Sequence, residues 1–361
     1  MAGQYFDTTS AVYGKHVART LKKAQVYESL SKMGSQEPMP QNKSQTIEWD
    51  RWLPYGGVDN QWLAAGGDTA YVTEHLMQEG VTPEAQSIDR TKMTATLQNI
   101  GCLYGYTDRT RILHEKGDVI PQEMEDHVST RLMICSEMMV YGEMKGCTNR
   151  FYGGTGESIA TVNGPPTRRM FQDISRTIQR YHGGMPRKML KSGPNFGSQS
   201  INAGWPVYTH TDMEATFENM PGFTARKDYG DPNSVIDETE IGAIGRFRIC
   251  VNPLLTYMPG AGALVANAVT GFVPKSDAPG TNCDVYPLII LGQGRGHNED
   301  AFGQVAIRGL DSLLLTHIPT GTKTSADPFG QRGYVGGMTW RAQKILNDAW
   351  MAVAFVATEA L

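Results

Sequence analysis

Apolar positions along this chain switch between a helical and a strand period. Across residues 11–32, Tyr13, Val17, Leu21, Ala24 and Tyr27 recur at spacings of three and four, which predicts an amphipathic helix. Its other side carries Lys15, Arg19, Lys22, Lys23 and Lys32. Residues 34–44 are polar, with Pro38 and Pro40, and read as a linker or extended arm. A helix on such an arm cannot bury its apolar stripe alone, so it is expected to need a distant core or another copy of the chain. Residues 46–53 alternate: Ile47, Trp49 and Arg51 face one way, Glu48, Asp50 and Trp52 the other. Residues 92–97 alternate as well, with Met93, Ala95 and Leu97 together. The phase changes near Asn99 and resumes at Cys102, Tyr104 and Tyr106, as a bulge would produce. The glycine-rich segment between these strands, with Gly56-Gly57 and Gly66-Gly67, predicts a two-stranded arm with an elaborated tip. A lone hairpin is marginal in water, so this arm too is expected to rest on something else.

Residues 121–145 form the clearest helix, with Met124, Val128, Leu132, Cys135, Met139 and Gly142 on one stripe. Glu123, Glu125 and Asp126 suit the positive end of the helix dipole, and Gly146 is placed as a stop. Its length would be about 35–40 Å at the α-helical rise. A second helix is predicted over 167–181, with Thr167 as N-cap, Met170, Ile174, Ile178 and Tyr181 inward, and Gly183-Gly184 ending it. Strands are expected at 205–210, 244–251, 285–291 and 302–307, with a short helix at 212–220. Residues 327–356 read as two strands joined by a turn at Leu346-Asn347-Asp348.

The 361 residues allow one large domain or two to three subdomains. A net charge of −4 excludes a wholly basic nucleic-acid binder, though not DNA contact by one face. Cys102, Cys135, Cys147, Cys250 and Cys283 are scattered without a CxxC, which favours reduced thiols over a disulfide framework or zinc site. The N-terminal residues show no apolar core of a secretory signal, and no apolar run reaches membrane-spanning length.

Few residues suggest chemistry. Gly292, Gly294 and Gly296 come after an apolar strand, but the residues beyond them read as turn and strand, so no helix N-terminus faces them for phosphate. His297, Glu299 and Asp300 match no zinc spacing, and read as a solvated loop tip. Asp237, Glu238 and Glu240 likewise read as a solvated loop. No HExxH or GxSxG is present, and no catalytic, cofactor or metal site is predicted. Met124, Met133, Met138, Met139 and Met144 suit adaptable core packing. For Trp49 and Trp52, core and interface readings stand side by side.

Several motifs resemble, in order, the major capsid proteins of podoviruses like coliphage N-four. They are VTPEAQSIDRTKMTATLQNIG (81–101), MPGFTARKDYGDPN (220–233), EIGAIGRFRICV (240–251), residues 285–294 with 301–304, and DPFGQRGYVGGMTWRAQKILNDAW (327–350). The resemblance runs from about residue 79 onward; residues 295–300 depart from it as a longer loop. It implies an α+β, Hong Kong 97-type phage capsid fold. Its parts would be an N-terminal arm (1–45), an E-loop hairpin (46–108), a peripheral domain with a long spine helix (109–200), an axial domain (201–323) and strands returning to the peripheral domain (324–361). It implies a structural protein without cofactor, made in the host cytoplasm, that assembles into the icosahedral shell of a tailed double-stranded DNA phage. Partners would be copies of itself in hexamers and pentamers, a portal, scaffolding or decoration proteins, and packaged DNA held without sequence preference, with no membrane involved. Tyr13, Val17, Leu21, Trp49 and Trp52 are the candidate intersubunit contacts, and Lys15, Arg19, Lys22 and Lys23 the candidate DNA-facing residues. The alternatives are an encapsulin-like compartment shell, a tail-tube protein, and a soluble nucleotide-binding enzyme with its site near Gly292.

Overall fold

A computed structural model of the chain describes residues 35–39, 44–52, 72–73, 75–77, 79–80, 90–114, 117, 119–185, 190–192, 198–200, 204–229, 239–277, 281–294, 300–307, 314–323, 325 and 327–360. In chain order the strands are β1 (Ser35–Met39), β2 (Thr46–Trp52), β3 (Arg90–Thr96), β4 (Gln98–Thr107), β5 (Arg150–Tyr152), β6 (Leu190–Ser192), β7 (Ser198–Ser200), β8 (Trp205–Thr209), β9 (Phe223–Ala225), β10 (Glu240–Ile244), β11 (Phe247–Val251), β12 (Tyr286–Leu291), β13 (Phe302–Ile307), β14 (Leu314–Ile318), β15 (Arg332–Ile345) and β16 (Met351–Val356). The helices are α1 (Asp108–Leu113), α2 (Ile120–Lys145), α3 (Arg168–Arg180) and α4 (Glu214–Glu218).

The sequence MAVAFV of β16 has no polar position, and the strand is buried on both faces. That is the signature of a strand covered from above and below. It sits second in a seven-stranded sheet of order β5-β16-β12-β8-β11-β10-β9. Alternate residues feed two cores. Met351, Val353 and Phe355 join Ile289, Leu291 and Tyr208 on one side, where Val140, Tyr141 and Met144 of α2 cover them. Ala352, Ala354 and Val356 join Leu288, Ile290 and Val207 on the other, where Met170, Phe171, Ile174 and Ile178 of α3 pack with Phe217 of α4. Thr167 caps α3 as predicted, its side chain accepting from the Met170 N–H.

β15 organises a second sheet of order β1-β13-β15-β14, with β4 pairing along the length of β15 from Arg332↔Thr107 to Arg341↔Gln98. The first half of α2 lies on one face of it. Val128 and Leu132 pack over Gly337, and Ile120, Met124, Tyr106 and Val335 complete that core. Tyr106 Oη meets His317 Nε2 at 2.9 Å and joins β4 to β14. A β2–β3 hairpin and a short β6–β7 pair are separate two-stranded sheets.

The structure departs from the sequence-based expectations at definable places. No bulged strand runs through residues 92–106: the chain breaks at Leu97, so β3 pairs with β2 and β4 with β15. The expected strand at 244–251 holds as β11 from Phe247 onward, but its start is a hairpin corner, with Gly245 at φ +60 opening the two-residue turn between Ile244 and Phe247. The α2 stripe holds for Met124, Val128 and Leu132 and then rotates. Cys135 and Gly142 are exposed, whereas Val140, Tyr141 and Met144 are buried, because the second half of the helix enters the core of the other sheet. Gly146 does end α2, but in right-handed conformation. α3 packs on the seven-stranded sheet, so the change of layer falls near residue 150 and not at 200. β15 and β16 are consecutive but unpaired; β16 does not return beside α2's first half but crosses into the seven-stranded sheet. The helix expected at 11–32 lies outside the described residues, as does most of the hairpin tip.

Candidate functional site

A cluster of titratable groups gathers at one end of the central strands β8 and β12 of the seven-stranded sheet. Asp212 Oδ2 accepts from Lys275 Nζ at 2.5 Å and from Tyr286 Oη at 2.9 Å. His210 Nδ1 accepts the Asp212 N–H at 3.1 Å, capping the turn that leads into α4. Tyr257 stacks on Tyr286 with centroids 5.0 Å apart and donates to Asp277 Oδ2 at 2.8 Å. Burial pushes the Asp212 carboxyl up, but the hydrogen bonds from Lys275 and Tyr286 outweigh it and leave it below the ordinary carboxylate value. Burial holds the His210 imidazole below the usual histidine range. The bond to Asp277 lifts the Tyr257 phenol to about 12. Each of these groups already has a partner within the cluster. Thr358 closes it, donating from Oγ1 to the Asp212 carbonyl at 3.0 Å and accepting the Lys275 N–H at 2.8 Å. The arrangement fastens residues 358–360 to the segments that follow these strand ends, and every polar group named in it is engaged.

Packing accounts for Gly292, the first glycine after β12, whereas Gly296 lies outside the described residues. A Cβ at Gly292 would collide with the Trp350 carbonyl oxygen, and Gln293 exchanges backbone bonds with Gly184. No phosphate cradle is needed to account for Gly292. Residues 295–299, including His297 and Glu299, lie outside the described residues; Asp300 is buried and accepts from Gln293 Nε2 at 2.8 Å. Asp237 and Glu238 are also outside them. Glu240, expected in a solvated loop, is buried in β10, where it accepts from Tyr229 Oη at 2.8 Å and pairs with Arg248 Nε at 3.8 Å. The paired strand β11 supplies the arginine that makes its burial tolerable. Among the described residues, no three His, Cys, Asp or Glu side chains converge as metal ligands would. No helix among them is long and apolar enough to cross a membrane. None of the five cysteines forms a disulfide.

Surfaces remain. The hairpin has the two faces its alternation predicts. Its outer face carries a charged ladder, with Lys92 on Glu48 and Arg90 on Asp50 at 3.3 Å. Its inner face carries Trp49, which is 7% exposed and packs with Ala95 and Leu97 against Val305 of β13 and Ala342 of β15. Trp49 is therefore a core residue of its own chain and is not free to anchor a neighbour. Trp52 ends β2 opposite Arg90, with its side chain outside the described residues. Tyr13, Lys15, Val17, Arg19, Leu21, Lys22 and Lys23 also lie outside them.

Exposed apolar residues cluster elsewhere. Phe329, 82% exposed, occupies the turn before β15, and Ile112 and Leu113 project from α1 at the same end of the sheet, where Arg111 donates to Thr320. Leu103, 68% exposed, stands on β4 on the side away from α2, and Met338 and Ile318 are exposed on the neighbouring strands. The alternation that sends Cys102, Tyr104 and Tyr106 inward already left Leu103 facing outward; its lack of cover was the missed signal.

No protein-family description matches the chain. It is similar to the major capsid protein of Pseudomonas phage KPP21, 23% identical over 178 residues, which are 46% of this chain and 42% of that protein. The match thus takes in less than half of the relative's length. Among solved structures, the capsid of Ralstonia phage GP4 is similar with a TM-score of 0.57 at 10% identity, covering 100% of this chain and 96% of the other. The head of Helicobacter pylori bacteriophage KHP40 gives 0.55 at 11%, over 90% and 87%. The capsid of cyanophage P-SCSP1u gives 0.52 at 11%, over 91% and 87%. The chain has their α+β, Hong Kong 97-type fold.

Proposed function

We propose that this chain is the major capsid protein of a tailed phage, and that its copies close into the shell that encloses the genome. The observation that carries this is coverage: the capsid fold accounts for nearly the whole chain, not for one excisable domain. Two features of the molecule support it. The seven-stranded sheet, buried on both faces, gives each subunit a rigid body. The second sheet and the exposed end beside it supply apolar ground for contacts between copies. A closed ring requires heterologous contacts, and many modest contacts become mutually dependent once the ring closes.

The lineage within tailed phages is proposed from the sequence motifs, as that of podoviruses like coliphage N-four. The apolar stripe of Tyr13, Val17 and Leu21 is assigned to a neighbouring copy. Lys15, Arg19, Lys22 and Lys23 are assigned to phosphates of packaged DNA, a contact that is sequence-independent and weakened by salt. Portal, scaffolding and decoration proteins are the further partners of such a shell. The test is purification of the full chain, followed by size-exclusion and negative-stain microscopy. Closed particles are expected, and those from infected cells should hold nuclease-protected DNA. Particles filled with a protein cargo would favour the compartment shell, and a stable lone subunit under all conditions would end the shell reading.

A further inference from the structure

The β14–β15–β4 sheet has two faces of opposite character. One is packed against the first half of α2, although Leu315 at its β14 side stays 48% exposed. On the other, the strand register places three rows across the strands: Leu314, Met338 and Gly101; Thr316, Gly336 and Leu103; Ile318, Tyr334 and Gly105. None of these nine residues is charged. An antiparallel sheet with one face in water normally alternates apolar-in with polar-out. Here the outward positions are uncharged, with Thr316 and Tyr334 the only ones that carry a hydroxyl, and Leu103, Met338 and Ile318 are exposed. The glycines keep the surface low, with Leu103 lying over Gly336.

The same face continues along β15 into ground that is covered. At Ala342 the inner face of the β2–β3 hairpin closes over it, with Trp49 and Leu97 in contact and Trp340 at the border. One half of a single sheet face is therefore buried by the chain itself, and the adjoining half is bare. The bare half measures on the order of 200 Å² from strand spacing and rise. That is well short of the roughly 800 Å² a partner contributes to a stable pairwise interface. It suits the dry centre of a contact that holds only when many such contacts act together.

We infer that this bare half-face is an interface covered by a second copy of this chain, with Leu103 as its central contact. The inference rests on the shell reading, which surrounds every subunit with identical copies. The lack of charge argues against DNA as the occupant, since phosphates call for lysine and arginine. A continuous run from the chain's own buried hydrophobic cover argues for an apolar protein surface.

The test uses the full chain. Leu103→Asp puts a carboxylate at the middle of the face at an exposed position, so the isolated subunit should keep its circular dichroism and protease resistance. Particle yield should fall at least tenfold. Ile318→Asp should do the same from a neighbouring strand. A photo-cross-linking residue at position 103 of the otherwise unchanged chain should give, within particles, a product of twice the subunit mass containing peptides of this chain alone. Wild-type yield from both folded Asp variants overturns the inference, as does cross-linking to another protein or to nothing, while the shell reading survives. A folded wild-type chain that never forms particles overturns both.

Discussion

The two sheets of this molecule solve the same burial problem to different degrees. The seven-stranded sheet finds both its covers within the chain: α2's second half on one face, α3 and α4 on the other. The β15 sheet finds a cover on one face in α2's first half, which leaves Leu315 48% exposed, and half of a second in the hairpin. A complete region can carry stability alone, whereas an incomplete one is shaped for what it meets. Mutations should respect that division, and the largest effect belongs to the complete region. Phe355 is fully buried in β16 and stacks against Tyr152 with centroids 5.9 Å apart. Phe355→Ala should cost about 3–5 kcal/mol through lost transfer energy and the cavity left behind. It should destabilise the subunit and reduce particles together, read as a lowered denaturant midpoint and a smaller yield of soluble protein. Unchanged global stability would show that the seven-stranded sheet is not the folding core.

Trp49 should behave differently although its side chain is nearly as deep. It fastens a two-stranded hairpin to the β15 sheet, and such a hairpin is marginal without a surface to lie on. Trp49→Ala should cost about 3 kcal/mol locally. Backbone amides of β2 and β3 should then exchange with solvent much faster, while those of β12 and β16 keep their protection. Uniform loss of protection in both sheets would erase the distinction drawn between them.

Legibility in the sequence divides along the same line. MAVAFV, the capped start of α3 and the first turns of α2 are set by local pattern, and each appears where its period and caps put it. The errors lie where a non-local partner decides. Residues 92–106 keep a strand period throughout, yet Leu97 divides them between two sheets, because β15 offers β4 a longer partner than β2 could. The α2 stripe turns at Cys135 because a different core waits for its second half. Glu240 reads as solvated until Arg248 and Tyr229 are seen beside it. Leu103 is outward by its alternation, but only the sheet shows that eight uncharged neighbours surround it.

The smallest effect expected is one of pH, and it belongs to the complete region. His210 faces Asp212, Lys275, Tyr257 and Tyr286, and its Nδ1 must stay unprotonated to accept the Asp212 N–H. An imidazole held below its ordinary value binds its proton more readily in the unfolded chain. Stability is therefore full above about pH 6.5, the ordinary histidine value, and declines as pH falls below it toward the lowered folded value. Asp212, also lowered, contributes fully above the ordinary carboxylate value of about 3.9 and is silent between pH 7 and 5. His210→Asn keeps a side-chain oxygen to cap the same N–H but cannot titrate. The melting temperature of the unassembled subunit should fall from pH 7 to 5 in the wild type and fall less in this variant. Identical slopes would remove the cluster as a source of acid sensitivity.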